Sequence, residues 1–181
     1  MTKAFAHQLK SLKHDLTTDI VFDTSDPGTG KTFVAIKAFE RRRKKKSGCA
    51  LILAPKSLLR STWAADFKKF APALKVVVAT ADVRASTFEQ DADAYVTNID
   101  AVKWLAKQPK AFFKRFETLI VDESSAYKHA TSQRSKAAAK IAAHFKYKRA
   151  MTGTPNGRSI TDVWHQVMLL DGGHRLGRSF F

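Results

Sequence analysis

Short runs of apolar residues alternate along the chain with longer stretches in which apolar residues recur every three or four positions. The short runs are rich in Val, Ile and Leu at consecutive positions, which is typical of strands that are covered on both faces. They predict six strands, at Asp19–Asp23, Ala50–Ala54, Lys75–Thr80, Ala94–Thr97, Thr118–Asp122 and Arg149–Thr152.

The stretches around these strands predict helices. The first is expected to bury one face, lined by Phe5, Leu9, Leu12 and Leu16. The others are predicted from about Gly30 into the basic run, after Ser57 as an N-cap, over Ser132–Phe145 and over Ile160–Leu170. Alternation of strands and helices predicts an α/β fold with a mostly parallel central sheet and helices on both faces. Ligands bind such sheets at the carboxyl ends of the strands.

Length and charge narrow the classes of function. A chain of 181 residues has the size of one compact domain that can fold without disulfides or metals. Its 32 Lys and Arg against 16 Asp and Glu give a net charge of +16, which attracts polyanions. Nucleic acid is the first candidate, and the alternative is a soluble protein that is merely basic. Cys49 is the single cysteine, which excludes an internal disulfide and a cysteine-based zinc site.

The sequence shows no signal for a membrane or for export. No apolar run approaches the roughly 18 residues that a membrane span needs. The residues after Met1 do not form a signal-peptide core. We therefore expect no membrane partner and a cytoplasmic location, which would be the nucleoid for a bacterial protein or the host cytoplasm for a viral one.

A glycine-rich segment follows the first predicted strand and opens a helix. From Ser25 onwards it reads S-D-P-G-T-G-K-T, the P-loop pattern G-x-x-x-x-G-K-[ST] with Ser25 in place of the first glycine. The glycines let backbone amides face phosphate oxygens, the lysine adds a charge for the β- and γ-phosphates, and the last hydroxyl suits Mg²⁺. The segment predicts NTP binding rather than a chance turn before a helix. Its predicted ATP-binding residues are Asp26, Pro27, Gly28, Thr29, Gly30, Lys31 and Thr32.

Two carboxylates end the apolar run Thr118–Asp122. Asp122 is predicted to hold Mg²⁺ together with Thr32, largely through water, and Glu123 to orient or deprotonate the attacking water. An Asp-Glu pair at a strand end is also a common turn. Its position some way after a P-loop favours the catalytic interpretation.

With these motifs the sequence resembles the first motor lobe of superfamily 2 helicases and translocases, closest to the Swi/Snf-like branch. The matching segments are His7-Gln8, the phosphate loop, Leu51–Leu59 with Trp63 and Phe67, Tyr95–Asp100, Asp122–Ser125 with Lys128 and Ser132, Met151–Pro155, and Trp164 with Leu170–Gly173. Several motifs in the right order are far more specific than any one of them. The resemblance implies that residues 1–181 form a single RecA-like P-loop NTPase lobe that uses ATP and Mg²⁺.

The resemblance also implies roles for individual residues. Gln8 becomes a candidate for contact with the adenine base, and Lys31, Asp122 and Glu123 become the catalytic set. The turn of Thr152, Gly153 and Thr154 is expected to couple the ATP site to nucleic acid. This branch usually has His where the sequence has Ser125. In the family, that histidine normally links the ATP site to the turn. Coupling is therefore expected to use Ser125 or to work differently.

Four residues at strand ends are predicted to contact DNA: Lys56, Ser57, Thr97 and Asn98. An ammonium, a hydroxyl and helix amides suit a backbone phosphate, and the other two side chains offer neutral hydrogen bonds. None of these contacts reads base edges, so we expect sequence-independent, salt-sensitive binding to duplex DNA. The basic run Arg41–Lys46 is interpreted as a solvated helix end, an auxiliary nucleic-acid patch or, least favoured, a nuclear signal.

The predicted function is the ATP-binding N-terminal lobe of a DNA-dependent ATPase that couples hydrolysis to movement on DNA. Such motors use arginine fingers from a second lobe, which are worth ~10³–10⁵ in rate in related systems. The chain has room for one lobe, so we expect the second in cis in a longer protein or in trans, and weak activity from this lobe alone. The alternatives are a single-lobe nucleic-acid-binding module with little ATPase activity and another P-loop DNA motor, such as a packaging ATPase.

Overall fold

One parallel sheet organises the chain. The computed structural model describes residues 4–45, 48–155 and 159–177. Six strands pair in the order β1-β6-β5-β2-β4-β3, and every pairing is parallel. The strands are β1 (Ile20–Asp23), β2 (Cys49–Ala54), β3 (Val76–Ala79), β4 (Ala94–Asn98), β5 (Phe116–Asp122) and β6 (Tyr147–Met151). The six predicted strands are confirmed, with ends that shift by one or two residues.

Helices connect successive strands, as parallel pairing requires. The helices are α1 (Ala6–Thr17), α2 (Lys31–Lys44), α3 (Ala65–Phe70), α4 (Arg84–Glu89), α5 (Val102–Leu105), α6 (Lys110–Phe113), α7 (Gln133–Ala142) and α8 (Ile160–Asp171). Ser132, predicted as the first residue of a helix, is the N-cap of α7, because its hydroxyl accepts a hydrogen bond from the Ser135 backbone N–H at 3.1 Å. The short helices α4, α5 and α6 have too few residues to show a period and were not predicted.

The sheet is buried on both faces. Leu51 and Leu53 of β2 lie in a core formed with α5, α7 and α8, whereas Ala50 and Ile52 lie in a core formed with α2 and α3. Successive strand residues point to opposite faces, so one apolar run serves both cores. The predicted fold class, a mostly parallel α/β sheet with helices on both faces, is confirmed.

The buried face of α1 differs from the predicted one. Only Leu12 of the four apolar positions is buried, and Phe5, Leu9 and Leu16 are 67%, 52% and 37% exposed. The buried face is instead formed by Gln8, Leu12 and Asp15. It is rotated towards these two polar residues because their partners lie beneath the helix, in the phosphate loop and in β6.

The helix after β2 also departs from its prediction. Leu58 rather than Ser57 is its N-cap, and it makes no side-chain capping bond. The helix begins as a π-helical segment, Leu59–Ala64, and continues as α3. The Ser57 carbonyl oxygen accepts a hydrogen bond from the Ser61 hydroxyl at 2.7 Å. π-helical turns are rare in proteins, and those that occur often lie at functional sites.

A buried ion cluster lies between α1 and the start of the phosphate loop. Arg149 of β6 donates to the carboxylates of both Asp15 and Asp23. Burial raises the pKa of Asp15, and the charge and hydrogen bond of Arg149 oppose that rise. The other oxygen of Asp23 accepts the Ser25 backbone N–H at 3.0 Å. The cluster thus ties the base of the loop to the core.

Replacing Arg149 with methionine should destabilise the protein by about 3–5 kcal/mol, because the buried carboxylate of Asp15 and the half-buried carboxylate of Asp23 lose the guanidinium that pairs with both. Urea unfolding followed by circular dichroism measures this change. The matched control is R41M, since Arg41 is an exposed arginine near the end of α2. It should change the free energy of unfolding by less than about 0.5 kcal/mol. Equal effects in the two variants would contradict the role assigned to the cluster.

Candidate functional site

The predicted motifs meet at the carboxyl ends of β1, β5 and β6. These strands are neighbours in the sheet, so the segments that follow them converge on one edge. A cavity of about 470 Å³ lies there. Its walls include four residues of the phosphate loop and five residues from other segments. These are Gly28, Gly30, Lys31 and Thr32, and Gln8, Asp122, Glu123, Thr152 and Gly153.

The phosphate loop has the backbone conformation that its glycines predict. Gly28 and Gly30 have φ angles of 80° and 85°, a region that side chains strongly disfavour. Gly30 is the N-cap of α2, whose first residue is Lys31. The Lys31 ammonium folds over the loop and donates to the carbonyl oxygens of Ser25 at 2.5 Å and Asp26 at 3.0 Å. A charge, free helix amides and a cavity are therefore brought together, which suits a phosphate chain.

Ser25 stands where the P-loop pattern has its first glycine. Among the residues that the structure describes, Glu123 is the one non-glycine residue with a positive φ, so Ser25 needs no glycine conformation. Its hydroxyl donates to Asp23 at 2.5 Å and lies 3.2 Å from the Thr29 hydroxyl. The Ser25 hydroxyl therefore contributes anchoring contacts within the loop.

Gln8 lies directly against the phosphate loop. Its side-chain amide donates to the Thr29 carbonyl oxygen at 3.1 Å and accepts the Phe5 backbone N–H at 3.1 Å. A Cβ atom on Gly30 would lie 2.2 Å from Gln8 Nε2, so any side chain there would displace the Gln8 amide, and the φ of 85° also favours glycine. The structure places Gln8 at the rim of the cavity, and its contact with adenine stays a prediction.

Asp122 ends β5 and is half-buried beside the cavity. Its Oδ2 accepts a hydrogen bond from the Trp63 indole at 2.8 Å. Burial raises the pKa of Asp122, the bond from Trp63 lowers it, and the neighbouring charge of Glu123 raises it. The Thr32 hydroxyl lines the same cavity. A hydroxyl and a carboxylate are hard oxygen ligands, and they fit Mg²⁺ held by few protein groups plus phosphates.

Glu123 is held in a strained conformation. Its φ and ψ angles are both 60°, in the left-handed region that costs a residue with a side chain about 1–3 kcal/mol. Its Oε1 accepts hydrogen bonds from the Ser125 hydroxyl at 2.5 Å and the Thr152 hydroxyl at 2.7 Å. Thr152 in turn accepts the Thr154 backbone N–H at 3.1 Å. The acidic pair is thereby joined to the turn after β6 through a single carboxylate oxygen.

The turn after β6 also packs on the phosphate loop. A Cβ atom on Gly153 would lie 2.9 Å from Pro27 Cγ, which only glycine avoids. The predicted coupling residues Ser125, Thr152, Gly153 and Thr154 therefore lie in one connected network with Glu123 and the loop. Ser125, which replaces the usual histidine, takes part in this network directly.

Two contributors were missed as site residues. Trp63 was recognised as part of a motif, but its bond to Asp122 has no signal in the sequence. Gln166 of α8 is buried and accepts the Ser124 hydroxyl at 2.7 Å while donating to the Pro155 carbonyl oxygen at 3.1 Å. It bridges the segment after β5 and the turn after β6. In the sequence, the signal for this bridging role was a single glutamine on the apolar face of the last predicted helix, because a buried amide needs hydrogen-bond partners.

The predicted DNA contacts divide into two groups. Lys56 and Ser57 are exposed at the carboxyl end of β2. Thr97 is fully buried, and its hydroxyl donates to the Ala79 carbonyl oxygen at 2.7 Å, so its side chain is not positioned to meet a DNA backbone. Asn98 is half-buried, and its side-chain oxygen accepts a bond from Arg84 at 2.7 Å. The Thr97 prediction failed because a hydroxyl at a strand end can also donate to a carbonyl oxygen of the neighbouring strand.

The basic run ends α2, as predicted, but two of its arginines bind within the fold. Arg42 donates to the Asp15 carbonyl oxygen and lies 4.4 Å from the centre of the Tyr147 ring. Arg43 forms an ion pair with Asp93 at 2.7 Å. Arg41, Lys44 and Lys45 are exposed, and Lys46 lies outside the described residues. The run is thus partly a packing element and partly a solvated helix end.

Neither a membrane-spanning helix nor a metal cluster is found in the part of the chain that the structure describes. No helix there combines the length and apolar character needed to cross a bilayer. No group of three or more His, Cys, Asp or Glu side chains is arranged to hold a metal among residues 4–45, 48–155 and 159–177.

Comparison with known proteins gives consistent matches. The family model described as the SNF2-related domain matches residues 10–175. Protein p41 of Acyrthosiphon pisum secondary endosymbiont phage 1 is 29% identical over 165 residues, which are 84% of this chain and 36% of p41. An uncharacterized ATP-dependent helicase of Mycoplasma genitalium is 32% identical over 122 residues, 64% of this chain and 11% of that protein.

A solved structure shares the fold. The Sulfolobus solfataricus SWI2/SNF2 ATPase core in complex with dsDNA superposes with a TM-score of 0.80 at 24% identity. The match covers 95% of this chain and 36% of that one. The chain therefore spans between about a tenth and about a third of the length of these relatives.

Proposed function

The chain belongs to the SNF2-related domain family, and we propose that it is the ATP-binding N-terminal lobe of a Swi/Snf-like DNA-dependent ATPase. In the whole protein this lobe couples ATP hydrolysis to movement on DNA. The observation that carries the proposal is the convergence of the phosphate loop, Asp122, Glu123 and Thr152 on one cavity. If the glycine-rich segment and the acidic pair were unrelated turns, they would have no reason to line the same cavity.

The residues around the cavity divide the work on ATP. The amides of Gly28–Lys31 and the Lys31 ammonium hold the phosphates, and Gln8 meets the adenine base. Thr32 and Asp122 hold Mg²⁺, which when bound neutralises charge on the β- and γ-phosphate oxygens. Glu123 orients the attacking water and takes its proton.

The network around Glu123 supports coupling between the ATP site and the DNA face. Ser125 and Thr152 donate to the same carboxylate oxygen of Glu123. A change in the partners of that oxygen during hydrolysis therefore reaches the turn after β6. Ser125 performs this function with a hydroxyl where the family usually uses an imidazole.

The partners proposed are duplex DNA and a second RecA-like lobe, in cis or in trans. The net charge of +16 and the exposed pair Lys56 and Ser57 support binding to a phosphate backbone without base readout. The Sulfolobus relative was solved with dsDNA, which favours duplex over single strands.

ATP turnover by the 181-residue chain, with and without duplex DNA, tests this division of labour. We expect Mg²⁺–ATP and DNA to bind, and turnover to stay low because arginine fingers are contributed by the second lobe. Robust DNA-stimulated turnover by the chain alone would contradict the need for that lobe. Binding of DNA without any binding of ATP would favour a nucleic-acid-binding module instead.

Replacing Lys56 with alanine should weaken DNA binding about equally for unrelated duplex sequences, because the ammonium contacts a phosphate and no base. The slope of log K against log salt concentration should flatten by about 1. Fluorescence anisotropy over a salt series measures both effects. The matched control is K13A, an exposed lysine of α1 away from the strand ends, which should leave the slope nearly unchanged. A sequence-selective loss in K56A would contradict the phosphate contact.

A further inference from the structure

The Asp122 carboxylate accepts a hydrogen bond from a side chain outside the acidic pair, the indole of Trp63. Trp63 is 0% exposed, and its Nε1 donates to Asp122 Oδ2 at 2.8 Å. An indole N–H is a donor only, so the bond has one direction. Hydrogen bonds to a carboxylate are roughly twice as strong as neutral ones. The two residues are 59 positions apart, and their contact is tertiary.

The indole is fixed by its surroundings. Its ring lies 6.1 Å from that of Phe67, which lies 6.4 Å from that of Phe39 in α2. All three rings are buried in the core between the sheet and α2. A donor on such a packed ring loses little freedom when it binds, and it restricts the acceptor to one orientation.

The backbone that carries Trp63 borders both the DNA-facing residues and the ATP cavity. Trp63 lies in the π-helical segment Leu59–Ala64, which begins two positions after Ser57. Thr62, its neighbour, lines the cavity that Asp122 also lines. Two consecutive residues of this segment thus reach the site, Thr62 as part of the cavity wall and Trp63 through its bond to the carboxylate.

We propose that Trp63 is a positioning residue, whose indole N–H fixes the Asp122 carboxylate for Mg²⁺–nucleotide binding. The proposal rests on the proposed function, because it assigns a task at the same ATP site. Oδ2 is engaged by the indole, and this bond would orient the carboxylate for the ion or its waters. Without the donor the carboxylate has more than one orientation, and the Mg²⁺-dependent part of nucleotide affinity falls.

The test compares W63F with F67L in the 181-residue chain. W63F removes the N–H and keeps an aromatic ring, whereas F67L disturbs the same aromatic cluster without touching Asp122. A fluorescent ADP analogue is titrated with MgCl₂ and with EDTA, and the ratio of the two affinities is the readout. W63F should lower this ratio about tenfold, since loss of a single bond to a charged group has that effect or more. F67L should leave the ratio within about twofold of wild type.

Equal ratios in W63F and wild type, or equal losses in W63F and F67L, would overturn the assignment to Trp63. A wild-type chain that binds no nucleotide in Mg²⁺ would instead overturn the proposed function, and this inference with it.

A second measurement avoids any change at Trp63. The chain has three tryptophans, and one indole N–H signal in an NMR spectrum of ¹⁵N-Trp protein should move when Mg²⁺ is added to nucleotide-bound protein. That shift should be absent in D122N, and its absence from wild type would also overturn the proposal.

Discussion

Replacing Lys31 with alanine should abolish nucleotide binding, with a loss of affinity of at least about a hundredfold. The ammonium lies over the phosphate loop, 2.5 Å from the Ser25 carbonyl oxygen, where the β- and γ-phosphates are expected. Charge-assisted bonds to phosphate are among the strongest polar contacts in proteins, and removing the cation leaves several anionic oxygens unmatched. Isothermal titration of Mg²⁺–ATP into K31A and wild type measures the effect.

The control for K31A lies on the same helix. Lys44 is near the other end of α2, with a side chain that is 71% exposed. K44A removes one positive charge, as K31A does, but should leave ATP affinity within about twofold, because charges beyond a Debye length are screened. Unchanged ATP affinity in K31A would refute the phosphate-loop assignment.

Replacing Glu123 with glutamine should preserve ATP binding and reduce hydrolysis by about 10²–10⁴-fold. A glutamine oxygen can still accept the bonds from Ser125 and Thr152, so the network around the site is retained. What is lost is the negative charge and the capacity to take a proton. The measurement is ATP turnover in a protein in which this lobe is joined to a second RecA-like lobe.

Glu117 provides the matched control for this change. It lies near the start of β5, at the opposite end of the strand from Glu123, and E117Q makes the same chemical change there. We expect E117Q to hydrolyse ATP at close to the wild-type rate. Wild-type turnover in E123Q would show that another group activates the water.

The sequence predicted those parts of the fold that depend on local pattern. Six apolar runs became six strands, and the glycines at positions 28 and 30 have the positive φ angles that a phosphate loop needs. Burial that depends on partners elsewhere was not predicted. The first helix was expected to bury its most apolar face, but Gln8 and Asp15 are buried in its place because their partners lie beneath them.

The same limit applies to the site. The phosphate loop and the acidic pair carry their chemistry in adjacent residues, so spacing alone revealed them. The bond from Trp63 to Asp122 joins residues 59 positions apart through a π-helical turn, which has no sequence signature. Thr97 was a reasonable DNA contact by position, yet its hydroxyl satisfies the neighbouring strand. Ser125 could be identified as an exception to its family, but only the structure shows which oxygen it binds.

Whether this chain is part of a DNA-dependent ATPase is tested most directly by steady-state ATP hydrolysis. It is measured on this lobe joined to a second RecA-like lobe, with and without duplex DNA at low salt. Duplex DNA should raise turnover at saturating ATP severalfold or more, and the increase should decline as salt releases the phosphate contacts. A rate of hydrolysis that is the same with and without duplex DNA would contradict the claim that this chain is part of a DNA-dependent ATPase.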